Sequence, residues 1–245
     1  MPPLLADNTV HVYRANLDLP KTVIDRLAST LSVDEIERAD RFGKLSLRNR
    51  FVCSRGLLRA LLGRLLEIAP ESLRFTYGPN GKPSLSDGQP RLSFNLSHSE
   101  SLTLIAVCAG REVGVDIERV RPIKEIDRIA ADYFTQGEGD YMNSADEYAR
   151  LDRFFVIWTR KEACIKALGA GISGRVRDIE TYGAPNEPAR LAAENCRDGS
   201  QRFWRIWDVS IENGFRAAVA VEIESEHEDI IVESRLQFAL DAVTE

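Results

Sequence analysis

The stretch that organises this chain is Phe-Phe-Val-Ile-Trp-Thr-Arg-Lys-Glu-Ala-Cys-Ile-Lys-Ala-Leu-Gly-Ala-Gly, residues 154–171. Its apolar first half and its glycines at 169 and 171 predict a helix that ends where positive φ angles are tolerated. Trp158, Glu162 and Lys166 are spaced four apart and therefore share one face of that helix. Such a face is either an ordinary Glu–Lys surface pair or one wall of a site, and the stretch alone leaves both interpretations open.

Composition limits the classes of protein that the chain can belong to. Its 245 residues suffice for one large domain or two small ones. The net charge of −6 argues against general nucleic-acid binding, which needs a basic footprint. No apolar run is long enough to cross a bilayer, and residues 1–7 lack the features of a signal peptide, so we expect a cytoplasmic protein with no membrane partner.

The cysteines and histidines support the same expectation. Cys53, Cys108, Cys164 and Cys196 lie far apart and form no C-x-x-C pair, so we expect free, mostly buried thiols. Free thiols are typical of a reducing compartment. The chain has three histidines and no paired cysteines, which argues against a structural zinc site.

The order of predicted elements repeats once along the chain. The first half reads as a strand, helices and then strands, at residues 9–17, 20–31, 33–41, 46–68, 73–77, 91–97 and 102–109. The second half repeats this order, at residues 112–118, 122–134, 145–168, 179–182, 203–211 and 215–224. This repetition predicts an α+β fold, in which two similar α/β subdomains are related by a pseudo-twofold axis and each carries a small, mainly antiparallel sheet.

The predicted joint between the halves lies near residue 110. We therefore expect an N-terminal subdomain at residues 1–110 and a C-terminal subdomain at 111–225. Residues 184–200 are rich in Pro, Ala and charge and predict a loop. An acidic tail follows at residues 226–245, with a terminal helix expected over 231–243.

The strand Val113–Glu118 carries the clearest candidate chemistry. Alternate residues of a strand face the same side, so Asp116 and Glu118 point together while the intervening valine and isoleucine face the core. Two adjacent carboxylates repel each other unless a cation lies between them, although a solvated strand edge is the plain alternative. Oxygen ligands without His or Cys favour Mg²⁺ over zinc, and Glu162 is the best candidate for a third carboxylate.

Two further stretches indicate a phosphate-bearing ligand. The strand Phe94–Ser99 ends in Ser97-His98, which reads as a nucleophile with its base, as a phosphate contact or as a plain turn. The helix at residues 46–68 has an excess of arginines in an otherwise acidic protein, which suggests an anion nearby. These arginines are Arg48, Arg50, Arg55, Arg59 and Arg64.

These motifs resemble those of a known family, the 4′-phosphopantetheinyl transferases of the surfactin-synthetase-associated (Sfp-like) type. Val113–Glu118 is similar to the family's G-[IV]-D-[IVL]-E motif, and Trp158–Gly171 to its W-x-x-K-E-A-x-x-K-x-x-G-x-G motif. Asn95–Ser99 resembles N-[IL]-S-H-[ST], Gly81–Pro83 the G-K-P turn, and Tyr133–Glu138 the F-[ST]-x-x-E stretch. The resemblance covers about residues 30–175, with the motifs in the family's order.

The resemblance implies both a fold and an activity. The family's fold has two similar α/β subdomains with the site between them. Its activity transfers 4′-phosphopantetheine from coenzyme A to a serine of an apo carrier protein of fatty-acid, polyketide or non-ribosomal peptide synthesis, and releases 3′,5′-ADP. Two half-sites in one chain make a monomer the expected state. The alternatives are a non-catalytic protein that binds coenzyme A or a carrier, and a Mg²⁺-dependent phosphohydrolase.

The resemblance also implies roles for individual residues. Asp116, Glu118 and Glu162 would hold Mg²⁺ on the pyrophosphate and form the catalytic centre with Lys166. Glu162 is a candidate acceptor of the serine proton, directly or through a water on the metal. The residues expected to bind coenzyme A are Arg38, Arg55, Lys82, Ser97, His98, Asp116, Lys161 and Lys166. Glu35 stands where the family often has a basic residue, which puts the role of its short helix in question.

Overall fold

The computed structural model describes residues 8–86, 92–169, 177, 179–181, 189–190, 194–195, 201–212, 214–225 and 228–236. The first half contains β1 (Thr9–Asn16), α1 (Lys21–Ala28), α2 (Val33–Asp40), α3 (Leu45–Leu66), β2 (Phe75–Tyr77), β3 (Pro83–Leu85), β4 (Leu92–Ser99) and β5 (Leu102–Ala109). The second half contains β6 (Val113–Arg119), α4 (Ile126–Tyr133), α5 (Gln136–Asn143), α6 (Glu147–Leu168), β7 (Ala189–Arg190), β8 (Glu194–Asn195), β9 (Gln201–Asp208), β10 (Phe215–Ile223) and β11 (Ile231–Leu236).

Within these residues the strands form two main sheets. The first has the order β11-β1-β5-β4, and its pairs are antiparallel except for the parallel pair of β1 with β11. The second has the order β6-β10-β9-β7 and is antiparallel, with β8 beside β9. β2 and β3 form a separate two-stranded sheet. The predicted α+β class with small, mainly antiparallel sheets is confirmed.

The two sheets meet where β4 lies beside β6. The side chain of Asn95 accepts a hydrogen bond from the Val115 backbone N–H at 3.0 Å, and the hydroxyl of Ser99 accepts one from the Arg119 N–H at 3.0 Å. Side chains of β4 thus replace the backbone ladder that would otherwise join two neighbouring strands. This joint brings the Asn-Leu-Ser-His-Ser strand against the strand that carries Asp116.

One long helix covers each sheet. The buried side of α3 packs on α1 and the first sheet, in a core that includes Leu27, Leu58 and Leu62. The small residues Ala163 and Ala167 of α6 lie against the second sheet, in a core shared with Ala218 and Ala220 of β10. Small side chains let α6 approach its sheet closely, so its position relative to β6 is tightly defined.

The middle of α6 is held by aromatic packing. The indole of Trp158 stacks on Phe154 with ring centroids 5.9 Å apart and meets Tyr133 edge to face at 5.6 Å. Trp158 therefore packs within the core cluster of α4, α5 and α6. At the C-terminal end of α6, Gly169 adopts a φ of 65°, so the predicted glycine end of the helix is confirmed.

Some local expectations are wrong. A helix was expected from Ile231, but Ile231–Leu236 is a strand that pairs in parallel with β1; residues 237–245 lie outside the described part of the chain. The pairing joins the two ends of the chain, which no local pattern reveals. Residues 179–181 form no strand, while α5, which sequence patterning missed, begins at the capping box of Thr135 and Glu138.

The subdomain boundaries at residues 110 and 225 stay predictions. Within the predicted acidic tail, the described strand β11 pairs with the sheet of the first half. No helix in the described parts of the chain is long and apolar enough to cross a bilayer.

Candidate active site

A cavity of about 670 Å³ lies at the joint between the two halves. Its walls come from α2, α3, the turn before β3 and β4 on one side, and from α6 on the other. Among the residues that line it are six of the predicted site residues: Arg38, Arg55, Lys82, His98, Glu162 and Lys166. The fold thus brings together side chains that lie far apart in the sequence. Arg38 and Lys166, for example, are separated by 128 positions.

Lys166, Ser97 and Asp116 form a chain of hydrogen bonds across the joint. The ammonium group of Lys166 lies 2.6 Å from Asp116 Oδ1 and donates to Ser97 Oγ at 2.8 Å. The Ser97 hydroxyl in turn donates to Asp116 Oδ1 at 2.8 Å. Because Ser97 is buried and orients a lysine and an aspartate, this geometry does not support the interpretation of Ser97 as a nucleophile with a histidine base.

The carboxylates around Asp116 influence one another. Burial raises the pKa of Glu118 and of Glu162, and the negative charge of Asp116 raises both further. Glu118 accepts a hydrogen bond from the Ser99 hydroxyl at 3.1 Å. Because burial and the neighbouring negative charges disfavour the ionised carboxylates, an additional cation would stabilise this group.

The donor set fits a hard divalent cation. Asp116 Oδ2 is buried and has no hydrogen-bond partner among the described residues, so it is available as a ligand. The nearby donors are carboxylate and hydroxyl oxygens, which Mg²⁺ prefers. Within the described ranges, no three Asp, Glu, His or Cys side chains form an assembled metal cluster, and the ammonium group of Lys166 lies 2.6 Å from Asp116 Oδ1.

His98 follows Ser97 on β4 and faces the cavity. Burial lowers the pKa of His98 because it disfavours the charged imidazolium. The positive charges of Lys166 and Arg50 lower this pKa further. The imidazole is therefore mainly neutral at neutral pH until an anion enters. A phosphate group would reverse this effect, because a negative charge nearby favours the protonated ring.

The structure adds to the cavity wall two arginines that were not among the residues expected to bind coenzyme A. Arg50 of α3 lines the cavity and pairs with Asp18 through two hydrogen bonds of 2.7 and 2.8 Å. Arg121, three residues after Glu118, also lines the cavity and lies 3.4 Å from Glu118 Oε2. The arginine excess of α3 was the available signal for Arg50, but helical spacing alone did not show which of its arginines face the cavity.

Comparison with known proteins identifies the family. Residues 112–220 match the 4′-phosphopantetheinyl transferase superfamily, and residues 21–110 match the 4′-phosphopantetheinyl transferase N-terminal family. The chain is 38% identical over 220 residues to the 4′-phosphopantetheinyl transferase HetI of Nostoc sp., covering 89% of each chain. The chain belongs to the 4′-phosphopantetheinyl transferase family.

Other family members match smaller parts of the chain. The 4′-phosphopantetheinyl transferase Sfp of Bacillus subtilis is 30% identical over 164 residues, which cover 66% of this chain and 71% of that protein. The 4′-phosphopantetheinyl transferase AcpT of Salmonella typhimurium is 36% identical over 139 residues, which cover 57% of this chain and 68% of that protein. The resemblance to this family drawn from the motifs is thus confirmed.

In this family member the Gly-Lys-Pro turn connects the two halves. Lys82 pairs with Glu112 at 2.6 Å and donates to the carbonyl oxygen of Ala167 at 2.9 Å. The side-chain amide of Asn80 donates to the carbonyl oxygen of Gly169 at 2.8 Å. The turn therefore holds the C-terminal end of α6, and Lys82 serves this connection while it also lines the cavity.

The departure at Glu35 is explained by a buried ion cluster. Glu35 accepts hydrogen bonds from Arg55 at 2.6 and 2.8 Å and from Arg59 at 2.6 Å. Arg55 also donates to the hydroxyl of Tyr77 at 3.0 Å. The carboxylate thus neutralises two arginines of α3, and Arg55 reaches the cavity wall as part of this cluster rather than as a free cation.

The side chain of Lys161 is buried beside α5 and the segment at residues 179–181. Its side chain is only 1% exposed, and its ammonium group pairs with Glu138 at 2.8 Å and donates to the carbonyl oxygen of Ile179 at 2.6 Å. These contacts do not support the expected contact between Lys161 and coenzyme A, which stays a prediction. Consecutive side chains on a helix point in directions about 100° apart. Glu162 therefore faces the cavity while Lys161 faces α5.

Proposed function

We propose that this family member transfers the 4′-phosphopantetheine group of coenzyme A to a serine of an apo carrier protein and releases 3′,5′-ADP. The observation that supports this most directly is the hydrogen-bonded group of Lys166, Ser97 and Asp116, with Glu118 and Glu162 beside it, at the edge of a cavity with a basic wall. A pyrophosphate can bind near Lys166 and the carboxylates, and a further phosphate can bind at the basic wall.

The basic wall fits the charge of coenzyme A. Arg38 lies over the ring of Phe51 at 5.4 Å with its guanidinium at the cavity, and Arg50 and His98 complete this side. Arginine recognises phosphate oxygens through its forked donors, so this wall suits the 3′-phosphate and the ribose. The pyrophosphate then falls near Lys166, on the side of the carboxylates.

Asp116, Glu118 and Glu162 are the residues that would hold a Mg²⁺ ion. The unpartnered Oδ2 atom of Asp116 and the raised pKa values of the two glutamates support this assignment. When bound, Mg²⁺ supplies positive charge that neutralises the pyrophosphate oxygens.

The residues of the chain account for the chemical step. The carrier serine oxygen forms a bond to the β-phosphorus of coenzyme A, the bond from that phosphorus to the bridging oxygen breaks, and 3′,5′-ADP leaves with the electron pair. Lys166 offers hydrogen bonds to the phosphoryl oxygens as their charge shifts. Glu162 lines the cavity and accepts the serine proton, directly or through a water.

Incubation with coenzyme A, MgCl₂ and a panel of apo acyl and peptidyl carrier proteins tests this function. We expect the mass of at least one carrier to increase by one phosphopantetheine group as 3′,5′-ADP appears. An unchanged carrier with bound, intact coenzyme A would instead indicate a binding protein. Hydrolysis of coenzyme A without carrier modification would indicate a phosphohydrolase.

We further propose that the protein acts as a cytoplasmic monomer. Both walls of the cavity come from one chain, so a second copy is not needed to complete it. Cys53, Cys108 and Cys164 are free and buried, which suits a reducing compartment. Sedimentation equilibrium at working concentration tests the oligomeric state, and a dimer would overturn this part of the proposal.

A further inference from the structure

Three consecutive residues of α6 make contacts in different directions. Glu162 faces the cavity, whereas Arg160 and Lys161 are buried on the other sides of the helix. Successive side chains on a helix are separated by about 100°, so contacts at neighbouring positions together determine the rotation of the helix about its axis. The surroundings of Arg160 and Lys161 therefore affect where Glu162 points.

The Lys161–Glu138 pair lies in a completely buried network. Glu138 is 0% exposed, and its Oε2 atom accepts from the Thr135 N–H at 2.8 Å as well as from Lys161. Its Oε1 atom accepts from the backbone N–H and from the hydroxyl of Thr181, at 2.8 and 2.7 Å. One carboxylate thus joins α6, the beginning of α5 and the segment at residues 179–181.

Arg160 strengthens the same attachment from the adjacent position. Its guanidinium forms two hydrogen bonds of 2.7 Å to Asp208 of β9 and a third, of 3.1 Å, to the carbonyl oxygen of Thr181. Lys161 donates to the carbonyl oxygen of Ile179, two residues earlier. Together these contacts hold the outer side of α6 against three separate parts of the C-terminal half.

We propose that the buried Lys161–Glu138 pair is a positioning device, which fixes the rotation of α6 and so holds Glu162 beside Asp116 and Glu118. The proposal rests on the function proposed above and assigns roles to two residues that never touch the substrate. It also accounts for the Thr135-x-x-Glu138 stretch, whose glutamate lies on the opposite side of α6 from the cavity.

The geometry makes small rotations important. A side-chain tip lies roughly 5–6 Å from the helix axis, so a rotation of about 10° moves it by roughly 1 Å. A displacement of that size at a reacting group can lower a rate about 100-fold. The long, ion-paired side chains of the network resist such a rotation, because a lysine that loses its carboxylate would leave an unpaired charge in the interior.

The test compares two variants of the pair with a matched control. Lys161→Met removes the ammonium group, and the double variant Lys161→Met/Glu138→Gln removes both charges while keeping an acceptor for Thr181. Lys21→Met removes an exposed lysine that pairs with Asp25 on α1 and serves as the control. Thr181→Val is a change of nearly equal volume that removes only the hydroxyl contact. We expect this variant to fold, so it replaces the charge variants if they do not fold.

For each protein, calorimetry measures the number of coenzyme A sites and their affinity for coenzyme A without metal. Calorimetry also measures the Mg²⁺ affinity of the coenzyme A complex. Kinetic assays measure kcat per site. In the double variant we expect one site with an affinity within about 3-fold of wild type, Mg²⁺ affinity about 10-fold lower, and kcat per site about 10–100-fold lower. Thr181→Val should lower kcat per site about 3-fold, and Lys21→Met should change none of these values.

Several results would overturn the proposal. If the folded double variant has the Mg²⁺ affinity and the kcat per site of the wild type, the network serves stability alone. If the double variant does not fold, the same result for Thr181→Val leads to the same conclusion. A 10-fold loss of metal-free coenzyme A affinity in Lys161→Met, at unchanged kcat, would make Lys161 a substrate contact. Failure of the proposed function is a separate outcome: the wild-type protein would then modify no carrier, while the Mg²⁺ affinities would still test the positioning.

Discussion

At the scale of single residues, Asp116 interacts with several groups of the candidate site. One of its oxygens is shared by Lys166 and Ser97, and the other is buried without a partner among the described residues. Its charge also raises the pKa of Glu118 and Glu162. Substitution of Asp116 therefore acts on every group that the proposed chemistry uses.

We expect Asp116→Asn to lower kcat/KM for carrier modification by more than about 100-fold, because it removes one of the candidate metal ligands. The affinity for coenzyme A without metal should stay equal or rise, since the substitution removes a negative charge near a polyanionic ligand. Carrier mass measured over a Mg²⁺ titration tests this. Asp25→Asn, an exposed aspartate on α1, is the control. An unchanged rate for Asp116→Asn would remove Asp116 from the metal site.

The sequence predicted most of this residue-scale arrangement because the relevant spacing is local. Strand alternation places Asp116 and Glu118 on one side, and helical spacing places Glu162 and Lys166 on one face. The same spacing could not show that Lys161, one residue away, pairs with a glutamate of a different helix. That partner is brought close only by packing between α5 and α6, and no local pattern encodes it.

At the scale of elements, the contact between β6 and α6 depends on Gly114. A Cβ atom added there would overlap the carbonyl oxygen of Ala163 and the backbone nitrogen of Ala167, and it would lie 2.9 Å from the Cα of Ala167. These neighbours are backbone atoms and cannot rotate away. The glycine of the Gly-Val-Asp motif is therefore required by the close approach of the helix that carries Glu162.

Gly114→Ala should push α6 away from β6, which destabilises the protein by about 1–3 kcal/mol and lowers kcat. Thermal denaturation and carrier modification below the melting temperature measure both effects. Gly139→Ala on α5 is the matched control, because nothing lies within 4 Å of its added Cβ. That change should leave activity intact and raise stability slightly, by about 0.5–1 kcal/mol. Equal behaviour of the two variants would contradict the close-packing argument.

The pairing of α2 with α3 predicts a specific pH dependence. Burial by itself raises the pKa of Glu35, but Arg55, the Ser32 backbone and Arg59 outweigh it, and the pKa of Glu35 lies below its ordinary value. As the pH falls, the unfolded chain takes up the proton first. The stability contributed by this cluster is therefore complete above about pH 4.5 and is lost as the pH falls through the lowered pKa of the folded state.

We expect Glu35→Gln to remove this loss of stability at low pH. Below about pH 4.5, the free energy of unfolding of the variant should depend less on pH than that of the wild type. At neutral pH the variant should be less stable by about 3–5 kcal/mol, because two buried arginines lose their counter-charge. Urea denaturation between pH 3 and 7 measures both. Parallel pH curves for the two proteins would show that the cluster does not contribute.

At the scale of the whole molecule, the site and the terminal strand lie at opposite ends of the first sheet. The sheet order places β4, at the cavity, three strands away from β11. Glu228, just before β11, pairs with Arg111 at 2.5 Å. The repeated order of elements in the sequence predicted the two halves, but the return of the chain to the first sheet depends on a contact across almost its full length.

Deletion of residues 228–245 should lower stability and expose the edge of β1 while leaving the cavity walls in place. We expect a lower melting temperature, concentration-dependent association and near-normal kcat at low temperature, because an open edge pairs readily with other chains. Size-exclusion chromatography and carrier modification at 10–15 °C, roughly the range of maximal stability, measure these effects. Loss of activity in a folded, monomeric truncation would show that the terminal strand contributes to the site.

The parallel pair of β1 and β11 also has a consequence for synthesis on the ribosome. β11 is translated roughly 200 residues after β1, which at about 5–20 residues per second is a delay of roughly 10–40 s. During that interval the outer edge of β1 has no partner strand, although β4 and β5 are already available on the other side. The nascent chain is therefore most exposed to chaperones and to misassociation until its last described strand leaves the exit tunnel.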